Sequence, residues 1–344
     1  MIDRRERLRK LVLNASRWSG AAAIAAPRLA GVGAILMLHS VTANPRRRLG
    51  LNDHLSITPN FLDIAIGEMK RAGYAFVSLD EVVEHLAAGG RSRVATITAD
   101  DAYLDNFREA LPVFEAHDTP FTIYVAPGLI DGDIQPWWEV GEELAFQRSW
   151  IEIASGDRVE TIDASTLAMK RKAALRLSEL FCHGVDEDQR QALLETMRSR
   201  DLETSAFMNW NQIKQIDRHP LGTIGGHTVH HYNLARLDRE KALDEMIRSA
   251  DLLQERLGVR PAHFAYPYGH ERAAGMRETR LAEEAGFASA VTTRHGTLQL
   301  EHIGHMHALP RISLNGRYQN VAHLRTMLTG FTAFANTRRR VVTL

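Results

Sequence analysis

The sequence predicts an α/β fold in which parallel strands and helices alternate around a closed or nearly closed barrel of the (β/α)7 type, with a helical insertion. Three observations carry this. Short apolar runs alternate with amphipathic stretches from Ala34 to Leu328. There are about seven such units, the number for a small barrel rather than an open sheet of two or three. The polar clusters that look functional fall where strands end: His39, Asp100-Asp101, His227 with His231, and Tyr266-Pro267-Tyr268-Gly269. Barrels of this kind carry their chemistry at the C-terminal strand ends.

In order along the chain, Ala34–Leu38 is an apolar strand ending in His39. Thr58 is an N-cap with Pro59 at the first helical position. Phe61, Leu62, Ala65, Ile66 and Met69 form the buried face of that helix, and Gly73 ends it. Phe76–Leu79 reads as a short strand, with Ser78 or Asp80 capping a helix through Leu86. Val94–Thr98 is a strand, Asn106–Ala116 a helix and Phe121–Val125 a strand. From Pro127 to about Thr204 the rhythm breaks. This long polar segment is helical in places, as in Ala164–Leu180 and Asp186–Arg198, and reads as an insertion. The rhythm returns with helix Trp210–Ile216 and strand Gly222–Gly226. Asp238–Leu257 is a strongly amphipathic helix stopped by Gly258. His263–Tyr266, Ala288–Thr292 and Leu309–Ile312 are the remaining strands, with helices at Arg277–Ala285 and Val321–Leu328. The expected organisation is a basic N-terminal extension (1–33), a barrel (34–330) with its insertion at about 127–204, and a basic tail (331–344).

Hydrophobic residues make up 44% and charged residues 24%, as in soluble globular proteins. The 42 basic and 42 acidic residues balance, so no global field argues for nucleic acid or an anionic membrane. The single cysteine, Cys182, excludes an intramolecular disulfide and fits a reducing compartment or indifference to redox. Arg4, Arg5, Arg7, Arg9 and Lys10 precede a mildly apolar stretch, Trp18–Val32. That stretch faintly resembles a signal peptide with a cleavage region at Ala22–Ala26. It is weakly apolar and interrupted by Arg28, which argues instead for a basic amphipathic helix lying on the protein or on a membrane surface. No stretch has the ~18–20 apolar residues of a membrane span. The expected location is cytoplasmic with room for membrane association, and not secreted.

His227 and His231 are four apart. On a helical turn after a strand, that spacing puts both imidazoles on one face. Two imidazoles and one carboxylate make a facial set of three metal ligands with open positions. The alternative is a pair of surface loop residues. His230 points elsewhere by the same geometry. Asp100 and Asp101 are adjacent carboxylates at a strand end and project differently, so one can bind a metal while the other stays free as a base. Alternatively, either could cap the helix through Phe107. Together, the two clusters favour metal-assisted hydrolysis.

Thr98-Ala99-Asp100-Asp101 resembles the first motif of the NodB-homology polysaccharide deacetylases, carbohydrate esterase family 4. His227-Thr228-Val229-His230-His231 is similar to their second motif, and Phe264-Ala265-Tyr266-Pro267-Tyr268-Gly269 to a variant of the third. The resemblance covers roughly residues 30–330 and implies a distorted (β/α)7-type barrel that removes acetyl groups from N-acetylated sugars of a poly- or oligosaccharide. It implies a divalent metal, Zn before Co, Ni or Mn, held by Asp101, His227 and His231, with Asp100 as general base. Tyr268 would supply a backbone N–H for the oxyanion, and Thr228 would fix the histidine loop. Three departures stand out. Ala102 replaces the usual Gly. The third motif lacks the Arg that holds the base, for which Arg311 is the candidate substitute. No late histidine strand motif is evident. Ile35-Leu36-Met37-Leu38-His39 resembles the early strand that carries the acid histidine in relatives of the poly-N-acetylglucosamine deacetylases. His39 is therefore the expected general acid, ahead of His307 and then His302 and His305. Trp138, in Trp137-Trp138-Glu139, could stack on a sugar ring or pack the insertion onto the barrel. Two other readings are hydrolysis of a non-sugar amide and an inactive sugar-binding relative.

Overall fold

The computed structural model describes residues 4–45, 49–155, 158–197 and 206–336. Seven parallel strands follow one another round a ring in chain order: β1 Gly33–Leu38, β2 Val94–Ala99, β3 Phe121–Val125, β4 Gly222–Gly226, β5 His263–Ala265, β6 Ser289–His295 and β7 Leu309–Ser313. The ring closes at β1. It pairs with β2 from Gly33↔Val94 to Leu38↔Ala99, and with β7 at Leu36↔Ile312 and Met37↔Ser313. The seams are uneven. β4 and β5 share the single pair Phe264↔Gly226, and the β6–β7 register shifts between Val291 and His295. This is the distortion of the barrel.

Strand alternation decides what the ring presents inward. Ala34, Leu36 and Leu38 of β1, Ala95, Ile97 and Ala99 of β2, and Phe121, Ile123 and Val125 of β3 pack under the outer helices. The opposite parity, Ile35, Tyr124, Ala265, Val291 and Leu309, forms a separate inner cluster. Continuing the inward parity one step past the strands gives His39, Asp100 and His227; on β7 it gives Arg311. Gly225 is inward as well. A Cβ there would lie 2.4 Å from the Tyr124 ring, so glycine is what lets that tyrosine fill the barrel.

Most outer elements match the sequence pattern. Thr58 accepts the Phe61 N–H at 3.1 Å to cap helix Pro59–Arg71, and all five residues of its expected face are buried. Asp238 caps helix Arg239–Leu257, and Gly258 ends it at φ 90°. The expected strand Phe76–Leu79 shrinks to Ala75–Phe76, because Ser78 and Glu81 form a capping box that starts helix Leu79–Ala87 at once. The two-residue strand fills the edge of β2 before β3 joins at Ile97↔Phe121. The insertion is not purely helical. Besides helices Trp137–Gln147, Leu167–Glu179 and Glu187–Met197 it carries an antiparallel hairpin, Trp150–Ser155 with Arg158–Asp163. Ile151 and Ile153 enter a core of the insertion's own with Leu144, Leu177 and Phe181.

The N-terminal extension forms helices Arg4–Trp18 and Ala21–Leu29. They pack against helices Val321–Leu328 and Phe331–Asn336, and Asn14 meets His323 at 3.0 Å. The segment expected as a tail from 331 thus begins as a packed helix. The basic end Arg338–Arg340 lies outside the described residues.

Candidate metal and acid-base centre

Asp101, His227 and His231 come together at the mouth of the ring, with one ligand atom from each within 4.8 Å of the others. Asp101 Oδ1 is 3.5 Å from His227 Nε2 and 3.3 Å from His231 Nε2. His227 Nδ1 lies 2.7 Å from the Ala265 carbonyl, which can only accept, so the proton sits on Nδ1 and Nε2 keeps its lone pair for a ligand role. Burial pushes His231 down to about 3, against the pull of Asp101, so it stays neutral as a ligand must. Burial would raise the Asp101 carboxyl, but His231 and His227 hold it well below the usual range. Asp101 Oδ1 is buried without a hydrogen bond among the described residues. Two imidazole nitrogens around an unsatisfied carboxylate oxygen fit a divalent cation.

The loops that carry these groups are strained. Among the described residues six non-glycine residues have positive φ, and five sit here: Asp101 (70°), Ala102 (53°), Thr228 (59°), His231 (52°) and Tyr268 (63°). The histidine spacing therefore does not come from a helical turn, as the sequence suggested. A loop with two left-handed residues brings the rings to 5.0 Å at 63°. The usual Gly at position 102 has a physical reason in φ 53°, which Ala102 adopts at a cost of about 1–2 kcal/mol.

Thr228 does not hold the histidine loop: its hydroxyl is buried without a partner among the described residues. Glu245, on helix Arg239–Leu257, does that work. Its Oε2 accepts the N–H groups of Val229 and His230 at 3.0 Å each, and Oε1 meets His230 Nδ1 at 2.5 Å. Gly128 donates to the Val229 carbonyl at 2.9 Å, an approach that a Cβ on Gly128 would block at 2.8 Å.

Asp100 is held differently. Arg311 Nη1 and Nη2 donate to its two oxygens at 2.7 and 2.8 Å. Arg311 is itself fixed on the Thr292 carbonyl and Thr98 Oγ1. The geometry rules out the helix-cap reading of this aspartate. Burial would raise the Asp100 carboxyl, but Arg311, by charge and hydrogen bonds, holds it below its ordinary value. His39 Nε2 lies 3.9 Å from Asp100 Oδ2. Burial lowers the His39 pKa against the pull of both aspartates. Asp105 and Asn106 hold this end of β1. Asn106 Nδ2 donates to the His39 carbonyl at 2.6 Å, and Asp105 accepts from Ser40 Oγ and Val41 N–H.

Trp138 packs on His231 at 4.8 Å between ring centroids and donates Nε1–H to Tyr103 Oη, which donates on to Glu139. Trp137 donates to Tyr268 Oη, and the Tyr268 ring lies 5.4 Å from that of His231. The insertion thus forms, with Tyr268, an aromatic wall beside His231. Tyr268 N–H has no hydrogen-bond partner among the described residues. The other candidate histidines are elsewhere. His307 Nε2 bonds to the Phe287 carbonyl at 2.7 Å, and His302 Nδ1 lies 2.9 Å from Gln299 N. His305 lines a separate groove with Met276 and Arg280.

No curated protein matches the chain. The fold is shared with the Streptococcus pyogenes deacetylase PplD in complex with acetate at 19% identity and TM-score 0.58, over 86% of this chain and 97% of that one. It is shared with IcaB from Ammonifex degensii at 18% and 0.56, over 87% and 97%. A de-N-acetylase from Aggregatibacter actinomycetemcomitans gives 13% and 0.57, over 86% and 99%. The family model for polysaccharide deacetylase matches residues 183–288, which span the histidine loop, β4 and β5. The chain is thus similar to polysaccharide deacetylases over residues 183–288, and it shares its seven-stranded ring with solved deacetylases.

Proposed function

We propose that the chain is a metal-dependent hydrolase that removes acetyl groups from N-acetylated sugars of a poly- or oligosaccharide. The observation that carries this reading is the pairing of an Asp101/His227/His231 ligand set with an Asp100 carboxylate clamped by Arg311 and facing His39. Asp101, His227 and His231 would hold the ion, with Zn as the first candidate. A divalent ion there would polarise the amide carbonyl and acidify water.

The residues themselves divide the remaining work. Asp100 is ionised and oriented, so it takes the proton as water adds to the carbonyl carbon. Arg311 keeps its oxygens in place and its charge available. The backbone N–H of Tyr268 donates to the oxyanion. The C–N bond then breaks, and the departing nitrogen takes a proton from His39, leaving acetate and an amine. Burial keeps His39 neutral at rest, so the proton taken by Asp100, 3.9 Å away, is the natural source of the one His39 delivers. Trp138 would offer its exposed part to a sugar face.

The test is to purify the protein, measure bound metal, and follow acetate release from N-acetylglucosamine oligosaccharides. Stoichiometric metal with acetate release is expected. Metal without any hydrolysis would leave an inactive sugar-binding relative as the better reading. Release from simple amides but not from sugars would move the substrate to the non-sugar class. His39→Ala should slow turnover by about 10²–10⁴-fold without loss of metal. An unchanged rate would remove His39 as the acid.

A further inference from the structure

We propose that the N-terminal helix pair docks on an anionic lipid surface. Helix Arg4–Trp18 spends one side on the protein: Leu13 and Ser16 are buried, and Asn14 meets His323. The other side is left uncovered and is apolar. Leu11, Ala15 and Trp18 recur at i, i+4 and i+7 and therefore share a face. Leu11 is 64% exposed and Trp18 79%, and Val12 beside them is also exposed. On the next helix, across Gly20, Ile24 is 78% exposed. Large apolar side chains this exposed on two consecutive helices mark an interaction surface.

Charge selects the partner. Residues 1–28 hold seven basic side chains, Arg4, Arg5, Arg7, Arg9, Lys10, Arg17 and Arg28, against Asp3 and Glu6. That is a surplus of five positive charges in a chain whose formal net charge is zero. Arg17 and Arg28 are exposed on the same helix pair. A second copy of the chain would bring two such surpluses together and be repelled. An anionic bilayer surface complements both properties: apolar rings and chains enter the headgroup boundary while cations meet lipid phosphates. A tryptophan at the edge of the row suits that boundary, where one end of the ring is apolar and the other wet. The attachment is peripheral. No helix among the described residues is long and apolar enough to cross a membrane.

The experiment is sedimentation of the full chain with vesicles of phosphatidylcholine alone and of phosphatidylcholine mixed with phosphatidylglycerol. Binding is expected to the mixed vesicles only, weakening as salt screens the charges. The triple variant Leu11→Ser, Trp18→Ser, Ile24→Ser should lose at least about tenfold in partitioning. Its far-ultraviolet circular dichroism should be unchanged, since all three side chains are exposed. If that variant does not fold, Trp18→Ser alone should still reduce partitioning severalfold. Equal binding to both vesicles, or undiminished binding by a folded variant, would overturn the proposal. So would a concentration-dependent dimer dispersed by Trp18→Ser, because a second copy would then be the occupant. None of these readouts uses acetate release, so they stand apart from the proposed hydrolysis.

Discussion

Among the described residues two histidine-rich segments stand out, and one of them gathers its rings around a shared carboxylate. His227 and His231 lie on a loop between β4 and helix Arg239–Leu257; His302, His305 and His307 lie on the turns of Leu300–Ala308 before β7. With His230 counted in the first, the two segments hold three histidines each at similarly close spacing. The rings of the second, however, are committed to the protein: His307 to the Phe287 carbonyl, His302 to its own turn. In the first, one nitrogen of His227 is tied to a carbonyl, and the other faces a carboxylate with nothing else to satisfy it. What separates a ligand set from a structural set is which nitrogen stays free and whether a carboxylate shares the space.

The comparison is sharpest at His231 and His307. His231→Ala should strip bound metal and reduce acetate release to background, while His307→Ala should keep both. Full metal occupancy in the His231 variant would break the contrast, and metal content by emission spectrometry checks it. Next in size, Asp100→Asn should lower kcat by about 10²–10⁴-fold with metal retained. A wild-type kcat would move the base elsewhere. Glu245→Gln keeps an acceptor for the loop N–H groups but loses its charge, and should weaken metal affinity by about 10–100-fold, as loss of a supporting partner does. The last effect belongs to the second segment and is read in stability rather than in activity. Burial pushes His302 down to about 4, so the folded protein refuses a proton that the unfolded chain binds below about pH 6.5. Its share of stability is complete above that pH and is lost as pH falls towards 4, on the order of 2–3 kcal/mol. Denaturant melts at pH 7 and pH 4.5 should show a smaller loss for His302→Gln than for the wild type. Equal losses would mean that other groups set the acid limb.

Much of the molecule is legible because strand alternation is a strict rule. Parity along β1, β2, β4 and β7 places His39, Asp100, His227 and Arg311 on one side of the wall, and closure of the ring makes the first and last strands neighbours. Less legible is anything set by local backbone or by cross-element burial. The hairpin at Trp150–Asp163 alternates in Ile151 and Ile153, but its polar surroundings read as helix. The left-handed pairs at Asp101-Ala102 and in the histidine loop leave no periodic trace. Glu245 sits in an amphipathic helix, and only the loop that crosses it reveals what its carboxylate holds. Asn106 reads as the first residue of a helix, although its side chain and that of Asp105 reach back to the end of β1.

The closure of the ring also sets a schedule for synthesis. Asp100 and Arg311 are 211 positions apart. At about 5–20 residues per second, the carboxylate waits roughly 10–40 s for its guanidinium on the ribosome. Over the same interval the β7-facing edge of β1 has no strand to pair with. A nascent chain stopped before Leu309 would carry an open sheet edge and a charge with no counterpart.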